Sequence, residues 1–135
     1  MVLLSIAEAK KWFEDNSSRI KDFELDEFTC KCGCGTLKLN TEVIEGAQDL
    51  RNEIGPVYIN SGYRCPKHNK AVGGKEDSQH LDGNAIDIVA ADSSMRYKVL
   101  MSNAIRKHFK GIGINFNKGF IHMDKRNITG LVFPY

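Results

Sequence analysis

Along this chain the apolar positions switch between helical and strand spacing, and the switches mark out the elements. Ile6, Ala9 and Phe13 recur at helical intervals behind Ser5 and Glu8, a capping-box pair, which predicts an amphipathic helix over residues 5–15. Residues 16–27 are polar, carry turn formers and read as a connection. From Thr41 the stripe Val43, Ile44, Ala47, Leu50 and Ile54 predicts a second helix, capped by Asn40 or Thr41 and stopped by Gly55-Pro56. Residues 57–60 read as a short strand, and 66–72 as a short helix with proline in its first turn and Gly73-Gly74 at its end. The run Ala85, Ile86, Ile88, Val89, Ala90 predicts a buried strand.

Behind Asp92 or Ser93 as cap, Val99, Leu100, Ala104 and Ile105 predict one long helix over 94–109. His108 is explained there by a helix C-terminus, which favours a cation. Residues 111–116 alternate, Asn117-Lys118-Gly119 turns the chain, and Phe120 to Asp124 alternates again, so a hairpin is expected. The segment 128–135 carries Leu131, Val132, Phe133 and Tyr135 and is expected to pack back on the body. Together these elements predict an α+β fold: a single small domain over residues 1–135, with a largely antiparallel sheet flanked by helices and a cleft on the sheet surface.

Composition narrows the function classes. With 135 residues, 41% of them hydrophobic, the chain can bury one modest core. A net charge of +2 from 19 basic and 17 acidic side chains gives no general field for nucleic acid. No stretch approaches the roughly 20 apolar residues of a membrane span. In Met1 to Phe13 the lysines follow the apolar part, the wrong order for a secretory signal, so synthesis in the cytoplasm is expected, and action outside it would need a separate release step.

The candidate chemistry centres on His80 and Asp87, with Gly83 between them. A turn entering a buried strand can aim an imidazole and a carboxylate at one point, and both suit zinc. A catalytic zinc takes three protein ligands, and His122, on the alternating strand, is the best third donor. The competing reading is a buried, hydrogen-bonded core histidine. His68 lies too close to its turn to join the set. Asp124, two residues from His122 in a strand, shares its face. Arg64, after the Ser61-Gly62-Tyr63 turn that Gly62 permits, would by itself be a surface ion-pair partner, and Ser78 a turn residue capping a backbone amide.

Ser78, His80, Gly83, Ala85 and Asp87 together spell S-x-H-x-x-G-x-A-x-D, preceded by Ser61-Gly62-Tyr63-Arg64, Asn69 and Gly73-Gly74 and followed by His122. With these residues the chain, from about Phe28 to about Arg126, resembles the zinc D-Ala-D-Ala peptidases: VanX-type dipeptidases, zinc D,D-carboxypeptidases and phage endolysins, with the hedgehog signalling domain as a distant relative. The resemblance implies zinc held by His80, Asp87 and His122, with Arg64 steadying the negative charge that develops on the attacked carbonyl. Ser78 would contact substrate or orient the ligands. It also implies a peptidoglycan peptide as substrate and cell-wall action after release, as in phage lysis; a monomer is the expected acting species.

One family feature is missing. VanX-type members carry a glutamate three residues before the last histidine and others a histidine two before it, whereas Gly119 and Phe120 stand here. Asp124 is the replacement by position, either taking a proton from the attacking water or accepting a hydrogen bond from a ligand imidazole. Asp82 is a weaker candidate. The same scaffold can hold zinc without cutting peptides, so a zinc-holding binding module for cell-wall peptides or a protein partner, or a fold stabilised by its metal, stays open.

Cys30, Cys32 and Cys34 alternate with Lys31 and Gly33, and Cys65 lies far along the chain. Three readings stand: a four-cysteine structural zinc, against which the one-residue spacing weighs; a disulfide from Cys65 to one of the three; or reduced thiols beside glycine turns.

Overall fold

The computed structural model describes residues 1–127 and 130–135. Helix α1 (Ile6–Asp15) starts where Ser5 accepts a hydrogen bond from the Glu8 amide, at 3.1 Å. Helix α2 (Thr41–Ile54) has Asn40 as its cap and ends at Gly55, whose φ of 94° an L side chain rarely adopts. Its buried stripe is Val43, Ile44, Ala47 and Leu50, the spacing anticipated. Two short strands that the pattern did not predict, β1 (Val2–Leu3) and β2 (Leu39–Asn40), pair antiparallel and fasten the first residues to the start of α2.

Strands β3 (Ile59–Ser61), β4 (Ala85–Val89), β5 (Gly111–Asn115), β6 (Phe120–Asp124) and β7 (Leu131–Pro134) form one sheet in the order β3-β4-β6-β5-β7. Every pairing is antiparallel except β5 with β7. The fold is thus α+β with a largely antiparallel sheet, and β5 and β6 make the expected hairpin. Ile86, Ile88, Ile121 and Met123 are fully buried in one continuous core with α2. The opposite face carries polar groups, because side chains alternate along each strand. Asp87 sits beside His122, which sits beside Gly113; one row along, Ala85, Asp124 and Gly111 line up in the same way.

The helix expected over 94–109 is two helices, α4 (Ser93–Leu100) and α5 (Asn103–His108), with α3 (Pro66–Ala71) earlier in the chain. Ser102 breaks the run: its hydroxyl donates to the Val99 carbonyl at 2.7 Å and accepts from the Ile105 amide at 3.2 Å. Glu53, reaching across from α2, accepts from the Asn103 and Ala104 amides and so satisfies the first turn of α5. His108 is bound to Asp49 of α2 at 2.6 Å, so its partner is a carboxylate on another helix. In the polar connection Ile20 and Phe23 are buried, and Gln48 accepts from the Lys21 and Asp22 amides. Of the tail, Ile128 lies outside the described residues, while Leu131 to Pro134 pair with β5 as β7 and leave the side chains of Leu131 and Val132 exposed. No helix among the described residues is long and apolar enough to cross a membrane.

Gly83 closes the 3-10 turn Gln79–Asp82 at φ 70°, and a Cβ there would lie 2.1 Å from the Lys38 carbonyl oxygen. Gly73 has φ 76° with nothing within 4 Å of a Cβ. Both Ala variants carry the left-handed strain of roughly 1–2 kcal/mol, and Gly83→Ala adds an overpacking cost of about 1–3 kcal/mol. In urea unfolding Gly83→Ala is expected to lose clearly more stability than Gly73→Ala; equal losses would contradict this packing.

Candidate metal centre

Three elements far apart in sequence supply the centre. The 3-10 turn carries His80, β4 carries Asp87, and β6 carries His122 directly beside it. His80 Nε2 lies 3.1 Å from Asp87 Oδ1 and 3.2 Å from His122 Nδ1, and His122 Nδ1 lies 2.9 Å from Asp87 Oδ1. All three residues are buried.

The far side of each ring fixes what these atoms present. His80 Nδ1 is 2.7 Å from the Gly62 carbonyl, which only accepts, so that nitrogen carries the proton and Nε2 offers a lone pair. His122 Nε2 is 2.7 Å from Asp124 Oδ2 and donates to it, which leaves Nδ1 as a lone pair. With both histidines neutral, three acceptors face one another at hydrogen-bond distance. A cation between them resolves the repulsion, and zinc fits: ligands about 2.0–2.1 Å from a tetrahedral ion stand about 3.3 Å apart.

Asp124 is fully buried and has every acceptor direction used. Oδ1 accepts from the Arg126 amide at 3.1 Å and Nε at 2.8 Å; Oδ2 accepts from His122 and from the second Arg126 nitrogen. Gly111 makes room for this pair, since a Cβ there would stand 2.3 Å from both Arg126 Nε and Asp124 Oδ1. Burial works against the Asp124 charge, but Arg126 and His122 outweigh it and hold the carboxyl well below the usual carboxylate range. Burial likewise opposes the Asp87 charge, yet His122 and His80 bring its carboxyl down to about 2.

Arg64 is buried at the end of the β3 turn and reaches the Tyr135 hydroxyl at 3.4 Å. Its Nε has no partner among the described residues. The Tyr135 ring lies 4.4 Å from the His122 ring, over the space that Gly113 leaves open. Ser78 accepts from the His80 amide at 3.2 Å, and Asp82 is exposed at the end of the same turn. Gly62 is required by close approach instead of turn geometry: its φ is not positive, and a Cβ would lie 2.5 Å from the Phe28 carbonyl oxygen.

Sequence reasoning missed the Gly62 carbonyl, Arg126 and Tyr135. Arg126 follows Asp124 at strand spacing, a usable signal, whereas a backbone carbonyl and a tyrosine directly after β7 leave none.

Two outcomes follow for metal binding. Asp124→Asn, which disturbs the His122 tautomer but removes no ligand, is expected to weaken zinc about 10–100-fold in chelator competition; unchanged affinity would remove its positioning role. Burial disfavours the His122 cation, but Asp124 and Asp87 outweigh burial and raise its pKa. The proton therefore stays on to higher pH than on a free imidazole, and zinc must displace it. Zinc affinity should therefore weaken progressively as pH falls below the raised His122 value, where the proton competes with the metal. An affinity that stays unchanged down to the carboxylate range would contradict that competition.

No curated protein matches the chain. The family model described as Peptidase M15 matches residues 21–124, a span that contains Arg64, His80, Asp87, His122 and Asp124. The chain accordingly belongs to the peptidase M15 family, the zinc D-Ala-D-Ala peptidase family of metallopeptidases.

Proposed function

We propose that the protein is a zinc-dependent peptidase that cuts peptidoglycan peptides at a bond involving a D-amino acid, acting as a monomer on the cell wall after release. The observation that carries the reading is the triangle of lone pairs on His80, Asp87 and His122 beside a buried guanidinium. The peptidoglycan substrate and the D-amino acid rest on the family resemblance.

When bound, zinc would supply Lewis acidity, making water a better nucleophile and polarising the scissile carbonyl. The chain's own residues do the rest. Arg64 is out of water and has no carboxylate within ion-pair distance among the described residues, so its charge is available for an oxyanion. The Tyr135 hydroxyl steadies that guanidinium, and its ring lies against His122. Asp124 holds the proton on His122 Nε2 and keeps the opposite nitrogen basic. It serves as a positioning residue, because both oxygens are already engaged and neither is left to take a proton from water. Ser78 sets the turn that presents His80.

That full engagement of Asp124 favours a second reading, a zinc-holding binding module for cell-wall peptides or a protein partner. Incubation of the zinc-loaded protein with purified muropeptides, read by mass spectrometry, separates the two. Products at one defined bond are expected from the peptidase, and intact muropeptides over a range of pH would leave the binding module. In the active protein, Arg64→Ala should retain zinc while kcat falls by about 10²–10³-fold, the usual cost of removing an oxyanion donor. A kcat within a few fold of the parent would remove Arg64 from the reaction.

A further inference from the structure

A second group of metal-ligating side chains lies outside the centre already described. Cys30, Cys32, Cys34 and Cys65 bring their four sulfurs within 4.8 Å of one another. Cys32 Sγ is 3.3 Å from Cys30 Sγ and 3.6 Å from Cys65 Sγ, so it stands close to two partners at once and is bonded to neither. Four sulfurs about 2.3 Å from a tetrahedral zinc stand about 3.8 Å apart, which this cluster approaches, whereas disulfides would draw it into pairs.

The local chain explains how a one-residue spacing achieves this. Residues 30–33 form a turn, closed by the Gly33 amide donating to the Cys30 carbonyl at 3.2 Å, which folds Cys32 back beside Cys30. Gly33 and Gly35, at φ 74° and 76°, curl the segment so that three successive sulfurs converge. Cys65 enters from the opposite side, at the start of α3. Backbone amides already point at two of the sulfurs: the Cys65 amide donates to Cys30 Sγ and the His68 amide to Cys65 Sγ, each at 3.4 Å. Such N–H···S bonds favour the thiolate form that a metal requires.

We propose that Cys30, Cys32, Cys34 and Cys65 hold a structural zinc ion that pins the irregular segment after Phe28 to the turn bearing Gly62 and Arg64. The need for a pin is visible in the fold. No helix or strand lies between the 3-10 turn Leu25–Glu27 and β2, yet this stretch packs against the turn that carries Gly62. Its Phe28 carbonyl accepts from the Tyr63 amide at 2.9 Å, beside the Gly62 carbonyl that orients His80. With four protein ligands the site is closed and takes no part in hydrolysis. It goes beyond the peptidase reading and does not depend on it.

Metal analysis of the full chain, purified with reductant and without chelator, tests this. Two zinc equivalents are expected for the parent, one for His80→Ala, and one for the Cys32→Ser, Cys34→Ser double variant, whose changes fall on exposed side chains. His80→Ala loaded with cobalt(II) should show thiolate-to-metal charge-transfer absorption in the near ultraviolet, and removing its remaining metal should lower Tm reversibly. The cobalt and Tm readouts need no cysteine variant to fold. A single equivalent in the parent that the cysteine changes leave untouched, iron in place of zinc, bridged cysteines in the intact mass, or cobalt-loaded His80→Ala without thiolate absorption would each overturn the proposal.

Discussion

Two imidazoles and a carboxylate meet with their lone pairs inward, and the rest of the polar architecture is arranged to keep them so. A lone pair on His80 Nε2 exists only because the Gly62 carbonyl takes the proton on the other nitrogen. A lone pair on His122 Nδ1 exists only because Asp124 does the same. Burial makes this unfavourable without a cation and strongly favourable with one, since charges are poorly screened away from water. The tautomers of the two histidines therefore favour a cation at the centre.

Sheet register converts that requirement into geometry. Asp87 and His122 are direct neighbours on β4 and β6, so two of the proposed ligands are set by strand pairing alone. A slip of one residue would send both to the core face. The neighbouring strand contributes glycine at both relevant rows: Gly113 leaves space for the Tyr135 ring and Gly111 for the Asp124–Arg126 pair. The core face, with Ile86, Ile88, Ile121 and Met123, holds the register from behind. The two faces of one sheet thus divide the labour between stability and chemistry.

Much of this was legible in the sequence, for reasons particular to each element. The α2 stripe is long and regular, and its stop at Gly55-Pro56 is unambiguous, so its bounds could be read directly. The β5–β6 hairpin shows in its alternation. The break between α4 and α5 could not be read, because Ser102 falls within a helical apolar pattern and its partner Glu53 is supplied by α2. Parallel pairing of β7 on β5 is a non-local contact with no sequence signature. Residue types alone pointed to His80, Asp87 and His122 as a possible set. What the sequence left open was the role of Asp124, which depends on Arg126 filling both of its oxygens. The cysteines were harder still: a one-residue spacing argues against an ordinary zinc knuckle, and only the two left-handed glycines and the approach of Cys65 show that the sulfurs converge.

The account turns on a cation at the meeting point of three named atoms. Anomalous diffraction at the zinc absorption edge, from crystals of the protein grown without chelator, locates that cation directly. The predicted result is a peak at bonding distance from His80 Nε2, Asp87 Oδ1 and His122 Nδ1, with no further protein ligand. A map with no peak there, or one in which another side chain completes the coordination, would contradict it.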